Sequence, residues 1–190
     1  NVTGHYTVQI KYQITFNQTG VGSDFKGTVV VIDSTNYNVT QLPVSFWWVN
    51  GSSHAFAFQS PLVVTLNAKR YVWNSTTGLS SLQSGSITAS NPGSVIGNYK
   101  TQYYLILTTN PLGVNSPSGE GWYYAGTNAP VSTAEYVDLV PGSSRYRFNG
   151  WTTADMTEIA NPMISPTMVL MDKAKTVTAN YVIQYKITVN

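Results

Sequence analysis

An all-β fold is what this sequence predicts, on three observations. Residues 5–16 alternate polar and apolar without a break. No stretch sustains the period of an amphipathic helix. Short runs rich in β-branched and aromatic residues recur between turns rich in Gly, Asn and Ser. Two units of roughly 80–90 residues fit the 190 residues, each long enough to bury a core.

The opening stretch sets the organisation. Tyr6, Val8, Ile10, Tyr12, Ile14 and Phe16 point one way, and His5, Thr7, Gln9, Lys11, Gln13 and Thr15 the other. At about 3.3 Å per residue the strand would reach roughly 40 Å, about twice the usual length. A long strand with one sticky face cannot stay unpaired. It must fill a sheet in its own subunit or in a neighbour.

Beyond it the elements are short. Residues 26–32 read as a strand and 33–41 as a polar loop. Residues 43–49 and 54–59 read as a hairpin around Asn50-Gly51-Ser52-Ser53. Strands are expected at 62–66, 70–73 and 86–89, and residues 90–98, with their Asn-Pro-Gly, as a linker. The second unit begins with a strand over 99–109. Strands at 121–125 and 135–140 follow, then 145–148 and 151–153 flanking an Asn149-Gly150 turn. Residues 154–166 are irregular, and strands at 168–171 and 176–189 close the chain. The expected organisation is a tail over 1–18, a first domain over 19–98 and a second over 99–190.

The sequence repeats itself. Ile10-Lys-Tyr-Gln-Ile-Thr-Phe-Asn17 is echoed by residues 101–110 and again by Gln184-Tyr-Lys-Ile-Thr-Val-Asn190. Arg70-Tyr-Val-Trp-Asn74 is echoed by Arg145-Tyr-Arg-Phe-Asn149. The pattern reads as two related units followed by the opening strand of a third. Tyr181, Ile183, Tyr185, Ile187 and Val189 alternate nearly as well as the first strand, so the chain has two candidate donor segments.

Composition narrows the function classes. Charged residues make up 9% of the chain, against roughly 25% in average globular proteins. Net charge is +2 with no basic cluster in the sequence, so nucleic acid is not an expected partner. With no cysteine, disulfides and thiol chemistry are excluded. Eight carboxylates leave few groups to protonate in acid, so stability should depend weakly on low pH. No apolar run of about 18 residues is present, so no membrane span is expected. The first residue is Asn, as expected of a processed secreted product.

Catalytic signals are nearly empty. His5 and His54 lie in no Gly-x-Ser-x-Gly elbow and are expected in surface or capping roles. Asp155 and Glu158 are a weak acid–base pair. No metal-binding or phosphate-binding motif occurs, so no metal or cofactor is predicted. Five N-glycosylation sequons stand at Asn1, Asn17, Asn38, Asn50 and Asn74, all in the first 76 residues, where only two of the eight acids lie. Glycans are expected to solubilise that half. Trp47 and Trp48 must face opposite sides of one strand, so one of them is a candidate sugar-stacking platform; buried core aromatics are the simpler reading of the other tryptophans.

The runs Gly121-Trp-Tyr-Tyr-Ala-Gly126, Arg145-Tyr-Arg-Phe-Asn-Gly-Trp151 and Lys175-Thr-Val-Thr-Ala-Asn-Tyr181 resemble the tandem β-repeats of archaeal cell-surface proteins. The whole chain resembles the subunit of archaeal thread filaments from thermoacidophilic archaea. That resemblance implies two tandem Ig-like, pilin-like β-sandwich domains, heavily glycosylated, and a homopolymer on the cell surface built by donor strand complementation. The donated strand maps to Tyr6, Val8, Ile10, Tyr12, Ile14 and Phe16. No catalysis is implied. Two other readings stay open: a monomeric carbohydrate-binding or adhesin module, and a non-catalytic module of a secreted protease or glycosidase.

Overall fold

A computed structural model describes residues 8–154 and 159–189. Tyr6, Asn1, His5, Asp155 and Glu158 lie outside the described residues. The fold is all-β, with a single 3-10 turn at Val39–Gln41 and no α-helix among the described residues. The chain divides into two compact units. The first takes in the described residues up to Val64 together with Arg70–Thr101; the second takes in Thr65–Lys69 and the described residues from Gln102 onward.

In the first unit, β1 (Lys11–Thr19) lies between two partners. It runs antiparallel to β4 (Val44–Val49), with Tyr12 opposite Trp48 and Phe16 opposite Val44. On its other side it runs parallel to β9 (Gly93–Asn110), with Ile14 opposite Gly93 and Thr19 opposite Asn98. β9 is flanked in turn by β7 (Lys69–Gly78), which pairs β6 (Leu62–Thr65). The facing sheet has the order β3 (Thr35–Tyr37), β2 (Val30–Ile32), β5 (Ser53–Phe58), β8 (Ser84–Thr88). Phe16, Ile14, Val30, Ile32, Phe56, Phe58 and Val95 close the space between the sheets. Phe16 is the hinge of this packing: its ring lies 5.8 to 6.4 Å from those of Phe46, Trp48 and Phe56.

The second unit pairs β12 (Tyr136–Val140), β13 (Ser144–Thr152), β15 (Lys175–Tyr185), β9 and β10 (Gly121–Tyr124) in one sheet. Its other sheet has two strands, β11 (Thr127–Val131) and β14 (Thr167–Met171). Trp151, Leu105, Val131, Val169, Met171 and Val177 form the core.

The internal repeat has a topological counterpart. In the first unit the first strand runs parallel to the last, β1 beside residues 93–98 of β9. In the second, residues 105–110 of β9 run parallel to residues 175–180 of β15. One strand thus closes one unit and opens the next. β15 continues past this pairing in the same manner, into the residues that carry the third echo.

Several expectations are corrected. Residues 90–98 are not a linker, because β9 begins at Gly93. Gly97 is there for close approach: a Cβ on it would stand 2.6 Å from the Phe58 ring. β4 and β5 are not a hairpin; β4 pairs β1 while β5 pairs β2 and β8. The intervening turn crosses between sheets, its Asn50 and Gly51 N–H groups donating to Ile10 and Ala89 carbonyls. Asn149-Gly150 is not a turn either. It is a bulge inside the continuous β13, where Gly150 has φ +123°. β11 was missed because Thr-Asn-Ala-Pro-Val reads as turn chemistry, yet Pro130 sits in a two-stranded ribbon that needs few of its donors.

Candidate functional site

The segment from Val8 to Phe16 divides at Lys11. Ile14 and Phe16 are fully buried in the core of their own unit, and Tyr12 packs partly against it. Upstream, Val8 is 90% exposed and Ile10 55%. Among the described residues, the backbone bond nearest this end is Asn50 N–H donating to Ile10 O at 2.9 Å. The alternation therefore continues beyond the point where the sheet of this chain uses it.

The other end of the described chain does the same. β15 pairs β9 only through Asn180, while residues 181–185 pair β13 alone. Their far edge has no strand beside it among the described residues. Ile183, Tyr185, Ile187 and Val189 carry their apolar groups into solvent, the last two 85% and 90% exposed. Among the described residues, Val8 and Ile10 before β1, and Ile183, Tyr185, Ile187 and Val189 at the other end, thus present exposed apolar side chains.

The sequons differ in setting. Asn50, at the tip of the β4–β5 crossover, and Asn74 in β7 are exposed. Asn38 and Asn17 are half-buried. Asn38 Oδ1 caps the 3-10 turn, accepting from Thr40 N at 3.0 Å, Thr40 Oγ1 at 2.8 Å and Gln41 N at 3.2 Å. Its amide nitrogen takes no part in that cap. Asn17 Oδ1 accepts from the N–H of Gln18.

One cluster has the connectivity of a hydrolytic triad. His54 Nδ1 lies 2.5 Å from Asp33 Oδ2, and His54 Nε2 lies 2.9 Å from Ser52 Oγ. The hydroxyl, however, donates to Val49 O at 2.7 Å, so the proton between Ser52 and His54 belongs to Nε2. The imidazole does not hold the serine as a base holds a nucleophile. The neighbouring N–H groups that would serve an oxyanion, those of Gly51 and Ser52, already donate to Ala89 O and Val49 O. The cluster clamps the crossover turn to the facing sheet, the other Asp33 oxygen accepting from Ala55 N–H at 2.9 Å. Sequence reasoning missed it because Asp33 and Ser52 are brought to His54 by the sheet register, not by any local motif.

Trp48 is buried and Trp47, on the opposite side of β4, is 64% exposed. Trp151 is buried, and Trp73 and Trp122 are half-buried. Among the described residues no group of three or more acidic or histidine side chains is placed to hold a metal ion. No helix there is long and apolar enough to cross a membrane.

The fold and these exposed strand segments define a class: an all-β protein with two sandwich-like units. Comparison with protein-family models, with curated proteins and with solved structures returned no match. The functional reading accordingly rests on the residues themselves.

Proposed function

We propose that this chain is the structural subunit of an extracellular filament. Its N-terminal strand is donated to the adjacent identical subunit, and the fibre serves adhesion or biofilm formation without enzymatic activity. The resemblance to archaeal thread subunits motivates the reading. The observation that carries it is the presence of exposed Val8 and Ile10 before β1 together with the one-sided end of β15, residues 181–185, and the exposed Ile187 and Val189 beyond it. An extended segment added to such an edge satisfies backbone groups and covers apolar side chains at once. The donated part is the portion before Lys11, since Tyr12, Ile14 and Phe16 serve the core of their own unit.

Burying Val8 and Ile10 contributes about 1.5–3 kcal/mol each, before the ordering of the tail is subtracted. The apolar groups of Ile183, Tyr185, Ile187 and Val189 add to this on the accepting side. Such a contact joins unlike surfaces, so repetition gives an open fibre rather than a closed ring. N-linked glycans at Asn50 and Asn74, and further ones at Asn1, Asn17 and Asn38, coat the sparsely charged first unit.

The exposure of Ile187 and Val189 favours a second version, in which residues 183–189 are the donor. The two versions are separated by substitution. In negative-stain microscopy of the purified protein, Ile10→Asp is expected to abolish fibres and leave a folded monomer. Fibres surviving Val8→Asp and Ile10→Asp together, but lost with Ile187→Asp, would reverse the donor. Loss of none of them would end the strand-addition account.

A further inference from the structure

The outer face of the second unit gathers several cations in a chain that carries few. Lys and Arg number ten in 190 residues. Three of them, Arg145, Arg147 and Lys186, gather around the β12–β13–β15 edge. The register explains how. Side chains of β13 alternate, so Tyr146 and Phe148 pack toward the core while Arg145 and Arg147 stand on the opposite, exposed face. Across the three strands Asp138, Arg145 and Gln184 form one row, and Tyr136, Arg147 and Val182 the next. Lys186, two residues beyond Gln184, lines the same open trough of about 640 Å³.

Neutral partners hold the guanidinium of Arg145. It lies over the Tyr136 ring, 3.7 Å from the centroid, and its Nε donates to Gln184 Oε1 at 3.1 Å. Among the described residues no carboxylate lies within ion-pair distance of Arg145, Arg147 or Lys186. Asp138 is the direct cross-strand neighbour of Arg145 and still does not neutralise it. The face thus presents oriented cations, with no described carboxylate at ion-pair distance, beside a carboxylate and an amide.

We propose that this face is a binding site for an acidic polysaccharide, one bearing carboxylate or sulfate groups on its sugars. Arg145 and Arg147, two residues apart on one strand and so about 7 Å apart, match anionic groups that recur along a polymer. Their forked donors suit carboxylate and sulfate oxygens. Asp138 and the Gln184 carbonyl accept from sugar hydroxyls. A deoxyribose-phosphate backbone has no such hydroxyl donors to offer them. Gln184 and Lys186 also belong to the segment proposed to meet a neighbouring subunit, and in a fibre the site would be repeated along the length.

The test measures binding of the purified full chain to alginate, dextran sulfate, neutral dextran and oligo-dT by isothermal titration calorimetry. Saturable binding to alginate or dextran sulfate is expected, with neutral dextran inert and oligo-dT weaker. Arg145→Ala and Arg147→Ala each remove an exposed side chain and are expected to weaken that binding about tenfold or more, with the circular dichroism unchanged. Should Arg145→Ala disturb the fold, Arg147→Gln supplies the same readout. Acidic polysaccharides that bind no better than neutral dextran, binding indifferent to both arginines, or tighter binding to oligo-dT would each overturn the proposal.

Discussion

The imidazole of His54 lies flat on the indole of Trp48, with ring centroids 3.7 Å apart and planes within 3°. The two residues stand on strands of different sheets, joined by the crossover turn that Ser52 and Asp33 brace. His54→Ala is therefore expected to lower stability by about 1–3 kcal/mol, through lost stacking and two lost hydrogen bonds. Equilibrium urea unfolding measures it. A double-mutant cycle with Asp33→Ala should show non-additivity, because one contact is removed by either change. Hydrolytic activity is not expected in any variant, since Ser52 gives its proton to Val49 O.

The division of the first strand at Lys11 predicts opposite outcomes for neighbours of the same chemical type. Phe16 is fully buried among Phe46, Trp48 and Phe56. Phe16→Ala should cost about 3–5 kcal/mol of monomer stability. Ile10, exposed on the same side of the alternation, should cost within about 0.5 kcal/mol when changed to Ala. Equal losses at both positions would mean that the residues before Lys11 also serve the core of their own chain.

That division marks where sequence reading stops. Alternation identifies a strand and the face that is apolar, because side-chain direction follows from the pleat alone. It does not say which chain supplies the covering sheet, since a groove within the molecule and one in a neighbour place the same demand on Tyr12 or Val8. The repeat was legible, and the shared parallel first-to-last pairing in each unit is its physical form. Gly97 and Gly150 were misread for a common reason. Glycine marks a turn by its backbone freedom and a packed strand by its missing side chain, and the residue letter does not distinguish these. The Asp33–His54–Ser52 cluster and the Arg145 face were not legible. Both are assembled by register between strands distant in sequence.

Gly97 provides a direct check on packing in the first unit. A methyl group there would stand 2.6 Å from the Phe58 ring, which is itself buried. Gly97→Ala is expected to destabilise by about 1–3 kcal/mol through overpacking. Thermal unfolding would show it as a lowered midpoint, whereas a mobile linker at this position would tolerate alanine or gain from it.

Two groups act on the pH response with opposite signs. The hydrogen bond from the buried Lys175, 2.7 Å away, holds the Asp172 carboxyl below its ordinary value of 3.8. A depressed folded-state value gives stability that is fully present above the unfolded value and is lost as pH falls through the folded one. Wild type should thus show a loss at strongly acidic pH that Asp172→Asn lacks. Burial pushes the Tyr99 hydroxyl up, and its proton goes to Gln59 O at 2.9 Å. The stability tied to its neutral form is full below the ordinary tyrosine value of 10.0 and is lost at higher pH. Circular dichroism across the pH range follows both.

The lack of cysteine in the chain makes the proposed assembly contact directly measurable. Cysteines introduced together as Val8→Cys and Ile187→Cys, followed by mild oxidation and non-reducing gel electrophoresis, report whether these two segments meet between copies. The account predicts a ladder of disulfide-linked oligomers from the double variant, extending past dimer, and at most dimers from either single variant. A double variant that remains monomeric, under conditions where both thiols are reactive, would contradict it.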